Sequence, residues 1–514
     1  MPSGSYPTLA SRWFEAVAAV PSRPFLVWEG PDGSTNEWNY RDFDALIGRV
    51  AAGLAQHGVK PGDGVHLALA NSPAFVAIWL ACATRLGAWM VPSDPRATSR
   101  ELGEHIDQTH PRVGICSDQR AASYHDAATS GLDVIEVSEE DIDVEPLLGQ
   151  LQSTLPVTPD PLDRAAVMFT SGTTSAPKGV VVTQANYAFA GDVMAAAAAL
   201  TQEDRQLVVL PLFHANAQYY SFASAISAGA SVALMSRFSA SRFLDQVDRH
   251  SATHASLFAA PLRMILASAP SPLPHDSALR HVWYAQNVTD DQYEELVRLF
   301  GCRPRQLYGM TETIPAVLTN RPLDPLPNAM GEVTLGCEVD LHPSERTGAV
   351  PAGAEGEIVV RGIPGITLFA EYLDAPELTT AAYHEDWFHT GDRAWRDDQG
   401  LFHFAGRDSD ILKVSGENVS VVEIEEVLAT HGSVLEAAVV GKQDPVRDEV
   451  PVAYVVQAPN APAVDLDELA VFCENRLSPS KRPHHITLVD ELPRTSVGKI
   501  RKFMFEQQDQ GAAT

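Results

Sequence analysis

Cysteine is scarce and unpaired in this sequence. The five present, Cys82, Cys116, Cys302, Cys337 and Cys473, lie far apart. That spacing excludes a small disulfide framework and the short ligand repeats of a zinc site, and it fits small buried hydrophobes in a reducing compartment. The sequons at Asn287 and Asn418 carry little weight for the same reason. Positive charge is also in deficit, with 37 Lys and Arg against 66 Asp and Glu and a net charge of -29. Nucleic acid as the main partner and docking on anionic lipid are therefore not expected, and any anionic substrate needs local cations. Long apolar runs are missing: WLACAT and MAAAAAL stop at Arg85 and Asp192, far short of the ~20 residues that span a bilayer. The first residues, MPSGSYPTLASRW, hold no basic region before an apolar run, so a cytoplasmic protein without a secretory signal is expected. No G-x-G-x-x-G follows a strand, which disfavours a nicotinamide oxidoreductase. No repeat at solenoid period is found either.

What is present is an ordinary globular composition, 45% hydrophobic and 20% charged, in a chain of 514 residues. Single cores stop growing at ~250–300 residues, so two or more domains are expected. From Arg41 to His57 the apolar Leu46, Val50 and Leu54 recur every four positions before Gly58, which predicts a helix. Val65, Leu67 and Leu69 alternate as in a strand, an apolar segment runs from Phe75 to Leu86, and Val113 to Cys116 is a further strand candidate. This alternation predicts an α/β layered fold with substantial parallel sheet. Near the end, Val421, Ile424, Val427 and Leu428 mark a helix stopping near Gly432; AAVVG and VAYVV read as strands and Leu466 to Leu477 as a helix. The polar stretch HFAGRDSDILKVSGEN separates the two units. It places a boundary near Gly406, dividing the chain into residues 1–405 and 406–514.

The segment Phe169 to Val181, FTSGTTSAPKGVV, crowds hydroxyls, glycine amides and one lysine, the donors that gather round phosphate oxygens. A P-loop would run into a helix straight after its lysine. Here Pro177 precedes Lys178, Gly179 follows, and Val180 to Thr183 is β-branched, so the loop is expected to join two strands. Pro177 also disfavours helical backbone at Ala176. Taken alone, the segment also reads as a solvent-exposed Ser/Thr turn.

Further along come YGMTET (Tyr308 to Thr313), GEIVVRG (Gly356 to Gly362), WFHTGD (Trp387 to Asp392), GRDSDILKVSGENVS from Gly406 and PRTSVGKIRK from Pro493. In this order, with FTSGTTSAPKG, they resemble the motif series of the adenylate-forming superfamily, which includes acyl-CoA synthetases, nonribosomal peptide adenylation domains and beetle luciferases. The resemblance covers essentially the whole chain. PLFHANAQYY and SGENVS are most similar to the carnitine/crotonobetaine CoA ligase-like subgroup.

The resemblance implies a large N-terminal domain of layered sheets and helices with a smaller, mobile C-terminal α/β domain. It implies an enzyme that uses ATP and Mg2+ to place AMP on a small acid, releases pyrophosphate, and hands the acyl group to coenzyme A. By the same resemblance Thr170, Ser171, Gly172, Thr173, Thr174 and Lys178 hold the ATP phosphates, with Ser175 where the family usually has glycine. Tyr308 lies on the adenine with Gly309 beside it, Thr311 near the α-phosphate and Glu312 on the metal. Asp392 takes the ribose hydroxyls with Arg407 nearby, although alone it reads as a turn aspartate. Lys499 bridges carboxylate and phosphate oxygens in the first step. Lys413, with Gly416, Glu417 and Asn418, serves the second, and Ser409 falls on the hinge. His214 matches the histidine beside the acyl carboxylate; a lone histidine is otherwise more often a core residue. In WYAQNVT the residues Tyr284, Ala285, Gln286 and Asn287 replace a glycine pair and alanine, with Gln286 in the nucleotide pocket. That departure leaves the acid unidentified, with the pocket walls expected around His214 to Tyr220 and Trp283 to Asn287. It also leaves open a carrier-protein thiol or an amine as acceptor, nitrite as the activated acid, or a degenerate member that only binds ligand. The oligomeric state is not specified by the sequence.

Overall fold

The computed structural model describes residues 6–128, 131–139, 144–149, 157–170, 177–268, 270–343, 350–407, 410–414, 417–444, 448–459, 461–494, 500–502 and 504–505. Among these residues the strands form four sheets. A nine-stranded sheet has at its centre the parallel strands Pro24–Glu29, Ser231–Met235, Arg205–Val208, His254–Phe258, His281–Ala285 and Arg305–Tyr308. A seven-stranded sheet runs from Asp133–Val137 through Val113–Ser117, Gly64–Ala68, Trp89–Pro92 and Arg164–Thr170 to Lys178–Thr183 and Glu371–Tyr372. Its first five strands are parallel and the last two antiparallel. The α/β expectation holds.

The helices Pro73–Ala81 and Gln184–Ala198 lie in one apolar core shared by both large sheets. Every position of Pro73–Ala81 is buried, as a helix hydrophobic all round requires. Ser72 caps it and Pro73 opens it. The apolar run read from Phe75 to Leu86 is thus an α-helix followed by a π-helical turn, Cys82–Leu86, closed by the left-handed Gly87. Val65 and Leu67 do lie in a strand, but all five of its residues are buried, because parallel neighbours flank it and both faces are covered. Its polar member, His66, is satisfied by Tyr124 at 2.7 Å and Ser93 at 3.0 Å. On the far face of the nine-stranded sheet a second core gathers the helices Phe243–Arg249, Ala259–Ser268 and Asp290–Phe300.

A third sheet is antiparallel: Glu338–His342, Glu355–Arg361, Trp387–Arg396 and Tyr383–His384 in order, with Phe402–Arg407 paired to Trp387–Arg396. Gly406 and Arg407 close this sheet opposite Arg393 and Asp392. The next described strand, Ile411–Val414, belongs to the fourth sheet with Glu417–Ser420, Val434–Asp444, Asp448–Gln457 and His485–Val489. One face of that sheet packs the helices Val421–Ala429 and Leu466–Glu474, and the other packs Leu492 and Phe505. The second helix ends three residues before the expected Leu477; that residue is buried as part of the turn ahead of Pro479.

Candidate active site

The phosphate-loop candidate leaves one strand and enters another. Arg164–Thr170 and Lys178–Thr183 are antiparallel, with Thr170 opposite Lys178 and Phe169 opposite Gly179. Strand geometry on both sides excludes the P-loop arrangement, as the β-branched run implied. Ser171, Gly172, Thr173, Thr174 and Ser175 lie outside the described residues. Lys178 is half-buried, and its ammonium sits 5.5 Å from the centre of the Tyr372 ring. The strand bearing Tyr372 is hydrogen-bonded to the lysine strand, Tyr372 opposite Val180.

Tyr372 connects this lysine to the carboxylate of YGMTET. Its hydroxyl donates to Glu312 Oε1 at 3.0 Å, and the Phe369 N–H donates to the Glu312 carbonyl at 2.9 Å. Glu312 is only 4% exposed. Burial and then the neighbouring Glu312 charge push the hydroxyls of Tyr372 and Tyr383 above their usual range, so both stay protonated. The turn carrying Glu312 is tight. The Met310 N–H donates to Thr313 Oγ1 at 2.9 Å, and the buried Ile314 takes a φ of 71°, a strained value for a β-branched residue. Thr311 is half-buried in that turn.

Tyr308 ends the strand just before it. The Tyr308 hydroxyl donates to Asp392 Oδ2 at 2.7 Å, and Arg407 Nε donates to Asp392 Oδ1 at 2.6 Å. Both oxygens of the nearly buried Asp392 are thereby engaged. Asp392 raises the Arg407 pKa against the opposing cost of burial. Asp392 lies within the strand Trp387–Arg396, beside a register shift against Glu355–Arg361 where Glu357 accepts from the Gly391 N–H at 3.0 Å and pairs with His389 at 2.7 Å. Gly309 has no room for a side chain: a Cβ would lie 2.7 Å from the Tyr220 hydroxyl and 2.9 Å from the Pro315 carbonyl.

Tyr220 belongs to the π-helical stretch Asn216–Ala223, which begins two residues after His214. Such stretches concentrate at functional sites. The half-buried His214 ring packs 4.3 Å from that of Phe213. In WYAQNVT, Trp283 and Tyr284 enter opposite cores, as successive residues of a strand must. Tyr284 pairs with Gln306 of the Tyr308 strand, which brings the half-buried Gln286 to the same sheet end. Asn287 accepts from Gln306 Nε2 at 3.3 Å and donates to Glu426 Oε1 at 2.8 Å.

The structure therefore groups Lys178 with Glu312 through Tyr372, Asp392 with Tyr308 and Arg407, and Gly309 with Tyr220. Lys413 lies in a strand opposite Asn418. Lys499, Ser409 and Gly416 fall outside the described residues. Sequence reasoning missed Tyr372 and Glu357, and it read Tyr220 only as part of an acid-pocket wall, not as the neighbour of Gly309. Glu357 stood inside GEIVVRG, whereas nothing local marked Tyr372, whose importance comes from pairing with a strand nearly two hundred residues earlier. No described group of three or more His, Cys, Asp or Glu side chains could by itself hold a metal ion. A buried single carboxylate suits Mg2+, which keeps waters and takes one or two carboxylates plus substrate phosphates.

Residues 13–373 match the AMP-binding enzyme family, and residues 423–499 match the AMP-binding enzyme C-terminal domain. The crotonobetaine/carnitine–CoA ligase of Salmonella agona (strain SL483) is 33% identical over 508 residues, 96% of this chain and 98% of the relative. The o-succinylbenzoate coenzyme A synthetase of Bacillus subtilis, solved in complex with ATP and magnesium ion, superposes with a TM-score of 0.83 at 26% identity. It covers 96% of this chain and 99% of that one. The benzoate CoA ligase of Burkholderia xenovorans LB400 gives a TM-score of 0.86 at 25% identity over 97% of this chain and 100% of that one. The nucleotide motifs, the sheets that carry them and these similarities agree: this chain belongs to the AMP-binding enzyme family.

Proposed function

We propose that this protein is an AMP-forming acid–CoA ligase, using ATP and Mg2+ to activate a small carboxylic acid. The observation that carries the reading is the pairing of a buried carboxylate, Glu312, with an ammonium, Lys178, across one tyrosine ring. In a chain of net charge -29 such a locally placed cation and metal-competent carboxylate are what a polyphosphate requires. Glu312 would hold Mg2+, which when bound neutralises phosphate charge. Lys178, Thr170, Ser171, Gly172, Thr173 and Thr174 would hold the phosphates in line for attack. Tyr308 and Gly309 would form the adenine wall, Gln286 its edge, and Asp392, fixed by Arg407, would accept from the ribose hydroxyls. Thr311 would sit near the α-phosphate and His214 beside the acyl carboxylate.

In the first half-reaction a carboxylate oxygen bonds to the α-phosphorus and pyrophosphate departs. Lys499 would neutralise the charge shared by those oxygens. In the second, the thiol sulfur of coenzyme A bonds to the acyl carbon and AMP leaves with the carboxylate oxygen, served by Lys413 and the Gly416-Glu417-Asn418 segment. The division into 1–405 and 406–514, with Ser409 as hinge, would let the smaller unit alternate between the two steps.

Pyrophosphate exchange into ATP tests this reading, with crotonobetaine, carnitine, benzoate, anthranilate and nitrite each supplied without coenzyme A. Exchange with a carboxylic acid, lost in Glu312→Gln, is expected. Exchange with nitrite alone would reassign the acid, and no exchange with any of them would favour a ligand-binding role without turnover.

A further inference from the structure

The crossover that follows the strand Arg205–Val208 returns to the start of its parallel neighbour, Ser231–Met235. It must run back along the sheet, so its first residues lie over the carboxyl ends of the strands, where open α/β sheets bind ligands. Asn216 opens the π-helical stretch there, two residues after His214. Residues four or five apart share a face of such a helix, which places Asn216 on the face of Tyr220, whose hydroxyl closes on Gly309. Asn216 is only 4% exposed, and among the described residues neither its Oδ1 nor its Nδ2 has a hydrogen-bond partner. Its neighbour Gln218 is the contrast. The Gln218 carboxamide accepts from the Tyr187 hydroxyl and donates to the Leu212 carbonyl at 2.6 Å.

A second such group comes from the sheet below. Ser256 belongs to the strand His254–Phe258, which packs against the π-helical stretch. It is paired with Trp283 and so shares its face of the sheet. Trp283, Tyr220 and Tyr308 lie in one core. Gln206, in register with His254, donates to the Tyr220 carbonyl at 3.3 Å. Ser256 lies one pleat beyond that contact, toward the carboxyl ends and the beginning of the π-helical stretch. It too is 4% exposed, and its hydroxyl has no partner among the described residues. Burying an amide and a hydroxyl unpaired costs stability, and folded chains satisfy the great majority of such groups. Two of them beside His214 and Tyr220 are what a site for a polar ligand requires.

We propose that Asn216 and Ser256 select the acid: the molecule activated here carries, beyond its carboxylate, a hydroxyl, amino or amide group that both donates and accepts hydrogen bonds. An acid of the same size without that group leaves the amide and hydroxyl unpaired and is rejected, a stronger discrimination than an apolar pocket achieves. The inference rests on the ligase reading above and names its substrate class.

Pyrophosphate exchange is measured for wild-type, Asn216→Leu and Ser256→Ala proteins with matched acids: benzoate against hydroxybenzoates and aminobenzoates, butyrate against 3-hydroxybutyrate, and crotonobetaine against carnitine, which bears a hydroxyl. In the wild type, kcat/KM for a polar member is expected to exceed that of its apolar counterpart about tenfold or more, the cost of stranding a buried donor or acceptor. Asn216→Leu is expected to erase that preference and Ser256→Ala to reduce it. A preference that survives Asn216→Leu, or no preference for a polar member in any set, overturns the assignment. If no acid supports exchange, the ligase reading fails on its own, and denaturant midpoints of the unliganded proteins decide the inference. Replacing an unpartnered buried polar group by an apolar one of similar shape should hold or raise the midpoint. A lowered midpoint in Asn216→Leu or Ser256→Ala makes the group structural and overturns the assignment.

Discussion

Asp392 is the residue on which the proposed nucleotide site turns, because both its oxygens are already committed to donors that hold it in place. Asp392→Asn weakens two hydrogen bonds to a charged acceptor, each worth ~1.5–3 kcal/mol. The KM for ATP should then rise about tenfold or more, read from initial rates at saturating acid. Tyr308→Phe keeps the ring and removes one donor, so a smaller rise is expected; a wild-type KM in both would contradict the placement of Asp392. Glu312→Gln should cut the adenylation rate by ~100-fold without recovery at high Mg2+, since a neutral amide is a poor ligand for a hard cation. Lys178, Glu312 and Asp392 were legible in the sequence as candidates because each sits in a short motif whose chemistry is local. Tyr372 was not, nor was the approach of Tyr220 to Gly309. Tyr372 acts on Glu312 only through pairing of distant strands, and Tyr220 constrains Gly309 only by tertiary approach.

At the scale of elements, the turn after Tyr308 and the helix after the lysine strand carry the tightest demands. Gly309→Ala would set a methyl against the Tyr220 hydroxyl and the Pro315 carbonyl, an overpacking cost of ~1–3 kcal/mol. Tyr220→Phe should not rescue it, because the carbonyl is backbone; denaturant midpoints of the single and double variants check both statements. Thr183 caps the helix Gln184–Ala198 in a reciprocal box with Asn186, so Thr183→Ala should cost ~1 kcal/mol by the same measurement. The strands of the loop were readable from Pro177 and the β-branched run after it. The helix after Leu466 was read too long, because Leu477 is apolar for a buried turn rather than for a helix face. The continuous burial of Gly64–Ala68 was hidden for a related reason: alternating Val65 and Leu67 look half-buried until His66 finds partners in Tyr124 and Ser93.

Over the whole molecule, buried histidines set the acid limit. Burial, with His105 nearby, pushes His66 down to about 3. Burial also pushes His105 down to about 4, against the opposing pull of Glu101 and Glu104. Both are neutral when folded and take up protons on unfolding once the pH drops below ~6.5. Their contribution to stability is therefore present above that pH and lost as the pH falls toward the folded values, with a combined slope of up to ~2.7 kcal/mol per pH unit. Denaturant midpoints at pH 7 and pH 5 should differ accordingly, and His66→Gln should flatten the difference; equal midpoints at the two pH values would contradict it. Net charge and motif order made the class of chemistry legible at this scale. The contacts by which the fourth sheet meets the rest, Arg263 with Glu436 and Asn287 with Glu426, were not, since no local pattern relates residues so far apart. The two-step reaction is tested most directly with a carboxylic acid labelled with oxygen-18 in its carboxylate, incubated with Mg-ATP and coenzyme A. One labelled oxygen in the AMP phosphate and an acyl thioester in matching amount are expected. Unlabelled AMP, or no AMP with any carboxylic acid, would contradict adenylation of the acid.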